Sequence, residues 1–132
     1  MNGAWRFVAV CLAVCIAGCS SLFPIRDELD KSSREYNQAI RWGEFGQAVL
    51  YADQSVRPDY DRLLANRGSV EVVDYRLQSV EVDEQKKTAA VWVEYDYYLT
   101  DGLRVRTVED RQKWRYEEKK GWRLTSPPPV FR

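Results

Sequence analysis

The sequence predicts an α+β domain in which an N-terminal helical hairpin packs in a curved, mostly four-stranded antiparallel sheet. Apolar residues recur at helical spacing up to about Asn66, and from Ser69 the period falls to two. An Asp101-Gly102 pair, a strong short hairpin signal, then separates two alternating runs. Helices followed by strands, rather than mixed with them, segregate into two layers.

Taken in order, Pro24 suits the first turn of a helix because its missing N–H has no partner there. Ile25, Leu29, Tyr36, Ala39, Ile40 and Trp42 then mark one helical face. Asp27 and Glu28 are expected in its first turn and Arg41 in its last, as the helix dipole favours, and Gly43 is expected to end it. A second helix over Glu44 to Tyr51 presents Phe45, Ala48, Val49 and Tyr51 to the first and completes a helical hairpin. After Pro58, the stretch DYDRLLAN reads as a third helical turn ending at Asn66 to Gly68.

The strands follow. In Ser69 to Asp83, Val73, Tyr75 and Leu77 share one parity and Val80 and Val82 the other, which requires a bulge near Gln78 or Ser79. Thr88 to Thr100 alternates, with Ala89, Val91, Val93, Tyr95, Tyr97 and Leu99 on one face. Leu103 to Glu117 forms the third strand and Trp122 to Thr125 the last. The prolines of Ser126 to Pro129 then stop the ladder, since proline has no N–H to donate.

The N-terminus reads as an address. Met1 to Arg6 is short and carries one cation, and Phe7 to Ile16 is uncharged and apolar. That run is too short for a bilayer core, which needs roughly 20 residues, but suits the apolar region of an export signal. The following Ile16-Ala17-Gly18-Cys19 resembles the lipobox of bacterial lipoproteins. The resemblance implies cleavage after Gly18 and acylation of Cys19, with residues 1–18 as signal peptide, 19–23 as lipidated tether and 24–132 as one domain. Several acyl chains anchor stably where one binds marginally. Ser20, in place of the aspartate that retains such proteins at the inner membrane, implies the outer membrane facing the periplasm in a two-membrane cell. Cys11 and Cys15 leave with the leader, so no disulfide framework is expected.

Pro24 to Phe131 carries a second resemblance. The RWGEF corner between helices, the long hairpins, the terminal hairpin WRYEEKKGWRL and the tail SPPPVF are similar to the nuclear transport factor two-like, or cystatin-like, cone fold. Many small exported lipoproteins of unassigned function share that fold.

Composition narrows the chemistry. Twenty basic and 20 acidic residues are interspersed, and loss of Arg6 with the leader leaves the acidic ones one ahead. There is no basic stripe for a phosphate backbone, which argues against a nucleic-acid partner. The chain has no histidine, which removes imidazole bases and His-based metal sites, and neither a glycine-rich phosphate loop nor an EF-hand occurs. No cofactor or metal is expected.

Carboxylates and tyrosines remain. Enzymes of the cone fold, such as ketosteroid isomerases, use an acidic base and tyrosine hydroxyls, which makes Asp96 and Asp110 catalytic candidates by resemblance. However, Glu94 and Asp96 have the parity opposite to Val93 and Tyr95, so an outward face paired with Arg104 or Arg106 is their plainer role. The aromatics Trp42, Trp92, Trp114, Trp122, Tyr95, Tyr97, Tyr98 and Tyr116 serve either as core or as a pocket lining. Trp92, on the polar face, and Tyr98 are candidates for a partner surface.

These readings lead to a lipid-anchored, non-enzymatic cell-envelope protein held to the membrane at Cys19, binding a partner protein or a small apolar ligand. The alternative is an enzyme using carboxylate and tyrosine acid-base chemistry in the cone. An enzyme needs one of Asp74, Asp96 or Asp110 turned into a closed apolar cavity.

Overall fold

Helix α1 forms because Leu29, Ser33, Tyr36, Asn37 and Ile40 return to one face every three or four residues, and that face is buried. In the computed structural model, which describes residues 23–132, α1 spans Phe23–Arg41. The expectations for the leader, Gly18 and Cys19 lie outside the described residues. Because α1 begins at Phe23, Asp27 and Glu28 fall in its second turn instead of the first, while Arg41 is in the last.

Gly43 ends the helix as expected. It sits at φ +69°, the left-handed region that glycine enters without penalty. The N–H of Glu44 bonds the carbonyl of Ala39 (2.8 Å) and that of Gly43 the carbonyl of Ile40 (3.1 Å), a Schellman arrangement that satisfies the last carbonyls. Trp42, expected on the buried face, lies beyond the final turn and is 69% exposed, with the Arg41 guanidinium 4.4 Å from its ring centre.

The second helix is shorter than expected: α2 covers Phe45–Ala48 and passes into a 3₁₀ turn at Val49–Tyr51. Phe45, Ala48 and Val49 are buried, as their spacing requires. A further 3₁₀ turn, Gln54–Val56, is capped by the Asp53 carboxylate on the Ser55 N–H, and α3 follows at Arg57–Ala65 with Pro58 near its start. Tyr60 and Leu63 are its buried residues.

The sheet is a meander of β1 (Val70–Asp83), β2 (Thr88–Leu99), β3 (Arg106–Glu117) and β4 (Gly121–Leu124), in the order β1-β2-β3-β4, all neighbours antiparallel. The parity switch expected near Gln78 is present, because Leu77 faces Val93 and Ser79 faces Trp92, leaving Gln78 without a partner. A second bulge lies nearer the start of the strand. Val72 faces Tyr97 and Asp74 faces Asp96, so Val73 is the extra residue and Val72, buried, takes the inward position. Two bulges in one edge strand bend it twice and curve the sheet round the helices.

The Asp101-Gly102 turn also departs from a two-residue hairpin. Gly102 does not adopt a positive φ; Leu103 does, at +52°, and the Leu99 carbonyl accepts from the N–H groups of Gly102 (3.0 Å) and Leu103 (3.2 Å). Leu103 to Val105 therefore lie in the loop, and β3 starts at Arg106.

One core joins the layers: Tyr36, Ile40, Phe45 and Tyr60 from the helices meet Val91, Val93, Tyr95, Trp114, Trp122 and Leu124 from the sheet. Arg123 ties the layers at their margin by donating to the carbonyls of Leu50 and Ala52. After β4 the tail returns across the sheet. Phe131 packs on Tyr97 (ring centres 4.9 Å apart), Tyr95 and Phe45, and the Tyr97 hydroxyl donates to the Arg132 carbonyl at 2.6 Å.

Nothing lies within 4 Å of a Cβ built on Gly43, so a substitution there meets only backbone strain. Gly43→Ala should lower stability by about 1 kcal/mol in urea unfolding at unchanged m-value, and Gly43→Asn by less.

Candidate functional site

Two features inside the fold invite a functional reading. They are a chain of buried polar groups through the core and an apolar groove beside it.

The polar chain starts on α1. Ser33 and Asn37, one turn apart, fall in the inward stripe, and the Asn37 amide donates to Ser33 Oγ at 3.4 Å. Asn37 Oδ1 accepts the Tyr95 hydroxyl at 2.5 Å from β2 and the Gln112 amide at 2.7 Å from β3. Gln112 also donates to Asp110 Oδ2 at 3.0 Å and accepts the Trp114 indole N–H at 3.2 Å. A second pair lies close by, with the Tyr36 and Tyr60 hydroxyls 3.2 Å apart and Tyr60 donating to the Ser126 carbonyl.

Asp110 is 5% exposed, and among the described residues only the neutral Gln112 amide bonds its carboxyl side chain. Burial disfavours the carboxylate and pushes its pKa up to about 7, the Gln112 bond opposing this in part. Burial also raises the Tyr36 and Tyr95 hydroxyls well above 10, with the nearby Asp110 charge adding to the effect.

The other sequence candidates lie elsewhere. Asp96 is on the outer face, where Arg76 holds it at 2.6 Å and Thr107 donates to it at 2.7 Å. These bonds, Arg76 first, lower its pKa. The partner of this carboxylate row is thus Arg76, not the expected Arg104 or Arg106. Asp74 is exposed. Of the three aspartates weighed, Asp110 alone turns inward, yet it meets packed side chains instead of an enclosed chamber. A surface hollow of about 540 Å³ under the tail, walled also by Tyr97 and Ser126, reaches Asp110 from outside.

Trp92 is half-buried on the outer face beneath the Arg111 guanidinium, 4.6 Å from the ring centre, and its indole N–H has no partner. Tyr98, also half-buried, pairs with Glu71 across β1. Tyr95, Tyr97, Trp114 and Trp122 serve the core, and Tyr116 is half-buried against Trp122.

The groove runs between α1 and the inner faces of β1 and β2. It holds about 310 Å³ and is walled by Leu29, Tyr75, Leu77, Val80, Val82 and Val91. Ser33 and Asn37 lie at its polar floor, while Arg26 and Arg34 stand at the rim, paired with Glu84 and Asp30. Leu77 and Val80 face inward by register, opposite Val93 and Val91, yet are 53% and 47% exposed. Here α1 leaves the concave face uncovered.

Sequence reasoning missed Ser33, Asn37 and Gln112. The signal was present in their positions: Ser33 and Asn37 occupy the apolar stripe of α1, and Gln112 shares the inward parity of Asp110 and Trp114. Among the described residues no cluster of three or more His, Cys, Asp or Glu is placed to hold a metal ion.

The sequence matches no family model and no curated protein. Solved structures are similar in fold. A conserved protein from Planctomyces limnophilus superposes with a TM-score of 0.60 at 11% identity, over 82% of this chain and 99% of its own. A ketosteroid isomerase-like protein from Erwinia carotovora atroseptica gives 0.59 at 11% identity, over 76% and 96%. A protein of unknown function with a cystatin-like fold from Methylobium petroleophilum gives 0.52 at 9%, over 78% and 79%. The chain thus has the cone-shaped α+β fold expected of it, and these likenesses extend to the fold alone.

The raised pKa of Asp110 makes stability depend on pH. The folded state binds this proton more tightly than the unfolded state, whose carboxyl titrates near 3.8, so stability should fall as pH rises from about 4 to about 7 and then level off. Within that window the slope from this group is about 1.4 kcal/mol per pH unit. Asp110→Asn, which keeps an acceptor for Gln112, should abolish this dependence and exceed the parent in stability at neutral pH, as measured by urea unfolding across the range.

Proposed function

We propose that this chain is a lipid-anchored, non-enzymatic protein of the cell envelope that binds a small apolar ligand in the groove between α1 and β1. The supporting observation is the inward-facing yet exposed pair Leu77 and Val80. Leaving them wet forfeits roughly 25 cal/mol for each Å² of apolar surface, and an apolar ligand recovers it. The groove volume lies at the lower end of small-molecule sites, at about 300 Å³, and its lining of aliphatic walls over a few fixed polar groups is typical of them. Anchoring rests on the Ile16-Ala17-Gly18-Cys19 pattern, and outer-membrane placement on Ser20.

One observation favours the alternative, an acid-base enzyme: burial poises Asp110 near neutrality beside the Tyr95 hydroxyl. Its signature is deuterium exchange at the α-carbon of a simple ketone, present in the parent and absent from Asp110→Asn. The binding reading expects no exchange in either.

The intact mass of the membrane-extracted protein should show an N-terminus at Cys19 carrying acyl groups, and Cys19→Ala should lose both cleavage and acyl mass. An unmodified parent chain would remove the anchor from the reading. For the groove, a fluorescent fatty acid should bind saturably, and Leu77→Asp should weaken it by about tenfold or more while leaving the fold intact, because Leu77 is already half-exposed. Equal binding by parent and variant would exclude the groove.

A further inference from the structure

We propose that the end of the molecule formed by the β2–β3 turn and the tail docks on an anionic lipid surface. Among the described residues seven large hydrophobic side chains are exposed, and four of them, Trp42, Leu103, Val105 and Val130, stand at this end. Leu103 and Val105 are in the turn itself, 79% and 59% exposed. Val130 is in the tail that crosses beneath it. Trp42 follows Arg41, whose guanidinium bonds the Val72 carbonyl near the start of β1, beside the end of β2.

The turn combines a left-handed residue, held by the bond from its N–H to the Leu99 carbonyl, with an apolar side chain. Leu103 takes the left-handed conformation at φ +52°, although Gly102, which enters it freely, is next to it. The side chain so positioned then meets solvent.

The chemistry of the docking partner follows from what flanks the apolar residues. From Asp101 the turn reads Asp101, Gly102, Leu103, Arg104, Val105, Arg106, two guanidiniums against one carboxylate, and neither arginine enters an ion pair with a described residue. Projecting apolar side chains interleaved with unpaired guanidiniums suit the headgroup region of a bilayer, where the first enter the acyl boundary and the second meet phosphate. Tryptophan favours the same depth. A protein partner would instead need a broad patch of roughly 800 Å² on each side, which a hairpin tip does not offer. An apolar groove of about 540 Å³ between α3 and the tail, with Leu99 in its wall, opens beside the turn and adds apolar surface to this end.

This surface is separate from the α1–β1 groove and does not depend on the lipoprotein reading. The first turns of α1 lie at the other end of the sheet, where Arg26 meets Glu84 beside the β1–β2 turn. The 12-residue β2 places the two ends about 40 Å apart at roughly 3.3 Å per residue. A chain anchored at Cys19 can therefore touch the same bilayer with its tip only by lying along it.

The test is partition of the full chain, carrying Cys19→Ala throughout so that acylation does not enter; the uncleaved leader is common to every variant, so the readout is the difference between each variant and the Cys19→Ala parent. The lipid probes are phosphatidylcholine vesicles with and without phosphatidylglycerol. Anionic vesicles should bind it about tenfold or more tightly than neutral ones, the preference shrinking with added salt. Both Leu103→Asp/Val105→Asp and Arg104→Glu/Arg106→Glu should lose most of that preference, whereas Leu77→Asp should keep it. On anionic vesicles the amides of Leu99 to Arg106 should gain protection from exchange, a change that binding through the N-terminal residues would not produce. Unchanged partition of both double variants, or a turn that stays unprotected, overturns the proposal. So does a concentration-dependent dimer abolished by Leu103→Asp/Val105→Asp, which would assign the surface to a second copy of the chain.

Discussion

The carboxamide of Asn37 holds the two layers in register. Its oxygen accepts from Tyr95 on β2 and Gln112 on β3 while α1 carries it, so one buried atom joins three elements. Loss of either donor would leave a polar group sealed in a low-dielectric interior, where an unmet hydrogen bond costs about 1–3 kcal/mol. An apolar contact would tolerate a slide of α1 along the sheet; this arrangement does not. The packing of Tyr36 edge-on against Trp114, with ring centres 5.9 Å apart, follows from the position it sets.

That register also decides what remains uncovered. With α1 held over Tyr95 and Trp114, its first turns cannot also cover β1, whose bulges at Val73 and Gln78 bend it along the edge. The concave face is thus divided into a filled part, sealed by the aromatic core and by Phe131 of the tail, and an open part at Leu77 and Val80. The cone of this chain is mostly its own core, and the uncovered part is a side groove rather than a central chamber.

The buried acid belongs to the filled part. Asp110 is bonded by Gln112 and by no described cation, so burial is what favours its protonated form. Asp96 shows the opposite arrangement. On the outer face, Arg76 and Thr107 bond its carboxylate and favour ionisation. Two aspartates 14 positions apart in adjacent strands are driven in opposite directions, because strand parity places one in the core and the other in solvent.

What the sequence determined by itself was local: the order of elements, the inward face of α1, the alternation of β2, the stop at Gly43 and the bulge near Gln78. Each follows from spacing over a few residues, because helix and strand periods decide which side chains share a face. It also indicated the fold and excluded histidine chemistry by composition. Only the tertiary structure decided that Asn37 would meet residues 58 and 75 positions away, that Val73 would be a second bulge, and that Arg76 would claim Asp96. It also decided that Trp42 would lie outside the core and that Leu77 and Val80 would face inward without cover. These outcomes depend on where one element stops relative to another, and that is set by packing between residues whose separation no local period records.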